Sequence, residues 1–243
     1  AFGGLRYVMG EPDRPPSRAG ISLGDTLAAM NGALGALAAL EHRRNTGKGQ
    51  IVDSAIYEAC FSMMESLVPD YQFGERIRER TGSYLPGVAP SNIYPATDGM
   101  IIIAANQDSV WKRLCEAMGS PELANDVRFQ NHETRGANQK ELDSLISNWT
   151  LRHSSEELEQ ICEENGVPCS KLYTAKNMLS DPHYAARQAI VDVEHPELGT
   201  LKMPGVFPKL SESPGAVRWP AHSPGADTDS VLSEWLSTND KNS

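Results

Sequence analysis

Three features of the sequence predict an α/β chain. A run of small and apolar residues from Asp25 to Arg44 has helical spacing, and "MIIIAAN" at 100–106 reads as a strand. Two further helical stretches, 137–151 and 154–165, then return to the extended segment "GVPCSKLYT". Strand and helix patterns that alternate in this way mark α/β architecture. The 243 residues suffice for one large domain or two small ones, and a 40% hydrophobic content supplies real cores.

In the first helix, Leu27, Met30, Leu34, Leu37 and Leu40 recur near helical spacing, and Gly32 and Gly35 leave room for a second backbone. Arg43 and Arg44 suit its last turn, and "NTGKG" stops it. The stretch reads as a buried helix, interrupted by Asn31 and glycines and too short to span a bilayer. "QIVDSA" is then expected as a short buried strand, followed by a helix from about Ser54 to Leu67 that Pro69 terminates. "FGERIRERTGSYLPGVAPSNIYPATDG" passes from charged to Gly/Pro-rich and reads as an inter-domain connection.

A compact α+β module follows. "MIIIAAN" leads into a helix from Ser109 to Met118 with Val110, Leu114 and Met118 on one face, and the helix at 154–165 opens on a capping box, Ser154 with Glu157. "SDPHYAARQ" reads as a short helix, "AIVDVEH" and "GTLKMPG" as short strands. A proline-rich stretch runs to Pro224, and a last helix covers Asp227 to Leu236.

The formal net charge is −10, from 22 basic and 32 acidic side chains. So acidic a chain is a poor general binder of nucleic acid or anionic membrane, and any anionic ligand needs a local basic patch or backbone amides. Cys60, Cys115, Cys162 and Cys169 have the spacing of neither a disulfide framework nor a zinc knuckle, which suggests reduced thiols in the cytoplasm. Six scattered histidines argue against a metal site.

Two places carry chemistry. Asp25 opens an apolar, small-residue helix. It reads either as an N-cap or as a nucleophilic carboxylate beside a space left by Gly24, Ala28 and Ala29. The segment "TGSYLPGVAP", with Gly82 and Gly87, reads either as a linker or as a lid over a site.

The ordered series Pro15-Pro16…Gly20, Gly24-Asp25, Ala38-Ala39-Leu40…Arg43 and Thr46-Gly47…Gly49-Gln50…Val52-Asp53 resembles the core signature of class III CoA-transferases, the formyl-CoA transferase and carnitine CoA-transferase family. Softer agreement continues through "PGVAPSNIYPATDGMIIIA", "NGVPCSKLYT", "HPELGTLKMPG" and "VLSEWL". It departs at Gly225-Ala226-Asp227, where relatives carry a Gly-Glu/Gln-His type sequence.

The resemblance implies the C-terminal part of a family III fold. Residues 1–75 would be the end of a Rossmann-like large domain, 76–185 a linker and small α+β domain, and 186–243 a return segment. It implies a CoA-transferase of the EC 2.8.3 type with Asp25 as nucleophile, over which the lid reading of the Gly82 and Gly87 segment would place a ligand-covering loop. A coenzyme A thioester would be the substrate rather than a tightly bound cofactor, and the acceptor a small carboxylic or dicarboxylic acid. The N-terminal half that holds most of the CoA would be absent, and the full-length protein would form an interlocked homodimer. If a targeting segment was lost with that half, the compartment would be the mitochondrial matrix. Arg43, Arg44 and Lys48 lie beyond the far end of the first helix, Arg43 roughly 27 Å from Asp25, so CoA-holding groups are expected elsewhere. An acyl-CoA racemase of the same superfamily is disfavoured because no run of glycines follows Asp25; a non-catalytic truncated chain is the other alternative.

Overall fold

A short helix, α1 (Leu5–Val8), precedes the small-residue stretch, which folds as α2 (Leu23–Thr46). The computed structural model describes residues 1–239, the last three as backbone alone. α2 ends as its sequence requires: Gly47 adopts φ 74° and its amide donates to Arg43 O at 2.8 Å. It is not the buried helix expected. Met30, Leu34 and Leu37 are 60–65% exposed, because α2 is packed along one stripe only. On that stripe a Cβ at Gly35 would stand 2.6 Å from Val52 Cγ1, so the glycine is what lets the segment 50–55 lie against the helix. By length and composition α2 would also suffice to cross a membrane, which overturns the argument from length.

The segment "QIVDSA" is not a strand. It runs extended along α2 with no strand partner among the described residues, Ile51 is 95% exposed, and Ser54 Oγ donates to Ala28 O at 3.0 Å. The helix expected over 54–67 is two helices, α3 (Ile56–Phe61) and α4 (Leu67–Gly74), separated by Glu65 at φ 51°. Pro69 does not end a helix but sits in the first turn of α4, where a missing amide costs nothing because no intrahelical acceptor exists there.

Strand β1 (Ser91–Ala96) lies inside the stretch expected to be connection. Its Pro95 is tolerable because β1 is an edge strand of the antiparallel sheet β1–β2–β3, with β2 at Gly99–Ala104 and β3 at Cys169–Lys171. Tyr94 pairs with Ile101, and Ile103 with both Asn92 and Cys169. Alternation buries Ile101 and Ile103 against α5 (Asp108–Ala117), α7 (Gln139–Thr150) and α8 (Ser155–Glu164), while Met100 and Ile102 stay exposed. Trp111, Leu114, Phe129, Leu142, Ile146 and Leu158 fill the core. The capping box of α8 forms as expected: Ser154 N donates to Glu157 Oε2 at 2.7 Å, and Glu157 N to Ser154 Oγ at 3.2 Å.

Helix α6 (His132–Ala137), unforeseen in the sequence, carries Arg135, which is fully buried. Its guanidinium donates to Ala89 O, Phe129 O, Asn106 O and Asp108 Oδ1 at 2.7–3.2 Å, and lies over the Trp111 ring. The hydrogen bond from Arg135 holds the Asp108 carboxyl below its ordinary range.

The first compact unit ends at Leu172; a second begins at Tyr173. It contains α9 (Ala175–Ser180), α10 (Pro182–Ala186), the hairpin β4–β5 (Ile190–His195 and Gly199–Pro204) and α11 (Thr228–Asn239). Asp181 caps α10, accepting from His183 N at 2.7 Å and Tyr184 N at 3.1 Å, and takes a 2.6 Å bond from Tyr173 Oη. Asp227, where the chain departs from the family pattern, meets His222 Nδ1 at 2.7 Å just before α11.

Replacing Arg135 by Met should strand three carbonyl acceptors and lower stability by about 3–5 kcal/mol, the scale for removing one partner of a buried charged network. Arg135→Lys should recover little of it, since an ammonium cannot span the fork. Urea unfolding of the three proteins checks this. Midpoints that coincide would show the guanidinium to be dispensable.

Candidate active site

Asp25 is not the N-cap of α2. The helix begins earlier, with Ser22 at the N-cap, and Asp25 occupies the first turn, where the helix dipole favours a carboxylate. Its side chain is exposed and forms no hydrogen bond or ion pair among the described residues. A structural cap would be engaged, and this carboxylate is not.

A cleft of about 320 Å³ opens beside it. One wall is the N-terminal segment, with Arg6 from α1 and Met9, followed by Arg18; another is α3, with Ile56 and Cys60. α3 arrives there because a Cβ at Gly24 would press on Ile56 Cγ2 at 3.2 Å and Cys60 Sγ at 3.3 Å. The N-terminal segment is folded back on itself by Ser17 N donating to Met9 O at 2.9 Å.

Arg43, Arg44 and Lys48 stay at the far end of α2 from Asp25, but the carboxylate is not without basic neighbours. The structure brings Arg6 and Arg18 to the same cleft as the carboxylate. The sequence offered only Arg18's nearness along the chain as a signal; Arg6 arrives through the fold-back.

Gly82 and Gly87 both adopt positive φ, 75° and 79°. Gly82 is docked: its amide donates to Gly10 O at 3.0 Å, and an added Cβ would stand 2.8 Å from the Glu11 carboxylate. The preceding residue but one, Arg80, donates to Tyr7 O and Glu11 O at 3.2 Å and Pro12 O at 3.4 Å, and lies over the Tyr7 ring. Tyr7 Oη in turn donates to Glu79 at 2.7 Å. On its far side the loop is tied by Ser83 Oγ to Asn92 Oδ1 at 2.6 Å, and Asn92 and Tyr94 both donate to Asp143. The glycine segment is thus bound to the wall of the Asp25 cleft at one end and to β1 and α7 at the other. Neither Gly82 nor Gly87 lines the cleft.

The model of CoA-transferase family III matches residues 1–229 of the chain. Succinyl-CoA–D-citramalate CoA-transferase of Chloroflexus aurantiacus is 52% identical over 237 residues, covering 97% of this chain and 59% of that protein. The beta subunit of succinyl-CoA–L-malate CoA-transferase from the same organism is 35% identical over 240 residues, covering 97% of the chain and 59% of the subunit. A CaiB/BaiF family protein from Brucella suis superposes with a TM-score of 0.78 at 25% identity, over 96% of this chain and 60% of its own. The chain thus spans about three fifths of the length of the relatives it matches. Its α/β architecture is part of their fold, and with the match running from the first residue to the start of α11, the chain belongs to CoA-transferase family III.

Proposed function

We propose that the protein carrying this chain transfers CoA from an acyl-CoA donor to a small carboxylic or dicarboxylic acid, with Asp25 as the nucleophile. The observation that carries this reading is the unengaged Asp25 carboxylate in the first turn of α2, facing a ligand-sized cleft. The relatives' names, which pair succinyl-CoA with D-citramalate or L-malate, support the substrate class.

The chemistry divides into two exchanges. An Asp25 oxygen attacks the thioester carbonyl; the C–S bond breaks, CoA leaves as thiolate, and a mixed anhydride remains. The thiolate then attacks the aspartyl carbonyl of that anhydride, expelling the donor acid as its carboxylate and leaving an aspartyl-CoA thioester. An acceptor carboxylate attacks this thioester to form a second anhydride. The returning thiolate attacks the acceptor's carbonyl, releasing the new acyl-CoA and regenerating Asp25. A carboxylate suits the task because its anhydride and thioester are as activated as the substrate, so no half-reaction is steeply uphill. Two interlocked copies of the whole protein complete this reading.

Asp25→Ala should abolish transfer and the hydroxylamine-trappable adduct while lowering stability by no more than about 0.3–1 kcal/mol, the dipole contribution of a first-turn carboxylate. Turnover and adduct mass decide it. Retention of more than a few per cent of wild-type turnover would remove Asp25 from the nucleophile's role.

The glycine segment is a lid in this reading. Both Gly82→Ala and Gly87→Ala strain a positive φ, and Gly82→Ala also pushes on the Glu11 carboxylate, so it should raise thioester hydrolysis relative to transfer more than Gly87→Ala, whose added Cβ meets nothing within 4 Å. Equal and unchanged partitioning in both variants would make the segment a linker.

The 243 residues alone should bind CoA weakly and transfer no acyl group, because positioning a large substrate needs more contacts than this cleft supplies. Calorimetry with CoA and an exchange assay on the isolated chain would settle it. Tight binding with measurable transfer would overturn the expectation.

A further inference from the structure

Arg6 and Arg18 line the Asp25 cleft, and among the described residues neither forms an ion pair or side-chain hydrogen bond. Asp25 does not engage them either. A guanidinium is normally placed where its planar fork meets a carboxylate or phosphate, and two beside one unpaired aspartate leave the cleft with a local excess of positive charge. This excess stands out in a chain whose net charge is −10.

Two parts of the proposed substrate could supply the missing anion: the phosphates of CoA, or a second carboxylate on the acyl group. Length separates them. The phosphates lie beyond the pantetheine arm, an amide-linked chain that places them on the order of 15 Å from the sulfur when extended. A cleft of 320 Å³ is at the small end of ligand sites, which run roughly 300–1,000 Å³. With the thioester carbonyl at Asp25, groups lining that same small cleft reach the far end of a short acyl chain, not the pyrophosphate.

We infer that Arg6 and Arg18 bind the distal carboxylate of a dicarboxylic acyl group and so set the preference of the site for diacids. The inference rests on the proposed transfer reaction for its kinetic consequence, but not for its binding consequence. A diacid gains charge-assisted hydrogen bonds to two exposed guanidiniums, while a monoacid of equal length places a methyl group beside them and gains none. Met9 and Ile56 give the methylenes of either acid an apolar wall.

The test compares succinyl-CoA with butyryl-CoA as donors in the whole protein, for wild type, Arg6→Gln, Arg18→Gln and the double variant. Wild type is expected to favour succinyl-CoA by about 100-fold or more in kcat/KM. The double variant should collapse that ratio to within about 5-fold, each single variant lying between. A fall that is equal for both donors, with the ratio intact, would mean that the arginines grip the shared CoA phosphates and would overturn the inference. So would a ratio unchanged in all variants. A binding arm keeps the two readings apart: succinate and butyrate are titrated into the same proteins by calorimetry. If no protein transfers CoA, yet succinate binds and the double variant loses that binding at least 10-fold, the transfer reading fails and the carboxylate site stands. Succinate binding no tighter than butyrate, or insensitive to both substitutions, sinks the carboxylate site itself.

Discussion

How closely a second backbone can approach α2 decides what surrounds Asp25. After Gly47 the chain turns back and runs along the helix from its C-terminal end toward its start. It can do so only where side chains are missing: Gly35 admits Val52, and Ser54 then reaches Ala28 O. The return delivers α3 to the first turn of α2, where Gly24 admits Ile56 and Cys60. Larger residues at these points would hold the segment off the helix and displace one wall of the cleft. The small-residue composition of α2 is therefore a matter of approach distance, and its weak helix-forming glycines are tolerated for that reason.

The electrostatics of the site are local. A net charge of −10 opposes the gathering of anionic ligands from solution, and screening confines any attraction to within about a Debye length of 8–10 Å. Two guanidiniums on the cleft wall can still hold an anion that has arrived, since at contact range they outweigh distant like charges. Those arginines come from the segment preceding α2, so the proposed nucleophile and its proposed anion contacts are encoded within a short stretch of chain.

Much of this could be read from the sequence, and the failures share a cause. The helix at 154–165, its capping box, the Gly47 stop and the strand at 100–106 are determined by neighbours in sequence, and all form. "MIIIAAN" forms β2, whose partner β1 lies just two residues upstream, whereas "QIVDSA" lies against α2 with no strand partner among the described residues and so forms no strand. Pro69 was misread because proline breaks a helix interior but suits a first turn, and its register depends on where Glu65 interrupts the chain. Asp25 was assigned its place at a helix start correctly, but not the two-residue-earlier origin that removes it from the cap. Arg6 has no local signature because the contacts that carry it to the cleft are distant in sequence: Ser17 N to Met9 O, Gly3 against Tyr57 and Cys60, and Arg80 on the carbonyls of 7–12. Arg135, buried and bonded to carbonyls scattered from 89 to 129, has no local signature at all.

The contacts of the glycine segment limit what it can do as a lid. Arg80 holds three carbonyls of 7–12 with a rigid fork, and Gly82 adds a fourth link to Gly10. Thr81 Oγ1 donates to Tyr84 O at 2.6 Å, and Ser83 is tied through Asn92 to Asp143. Swinging the whole segment would break all of these at once, a cost that no single ligand contact offsets. The turn at Leu85, Pro86 and Gly87 is closed by Val88 N to Leu85 O, and the Gly87 backbone lies against Gly136 of α6, where an added Cβ would stand 3.0 Å from Gly87 Cα. Gly82 and Gly87 are therefore both held, Gly82 at Gly10 and Glu11 and Gly87 against α6. The segment also shares its attachment with the wall bearing Arg6, so the proposed lid and that wall are one packed unit.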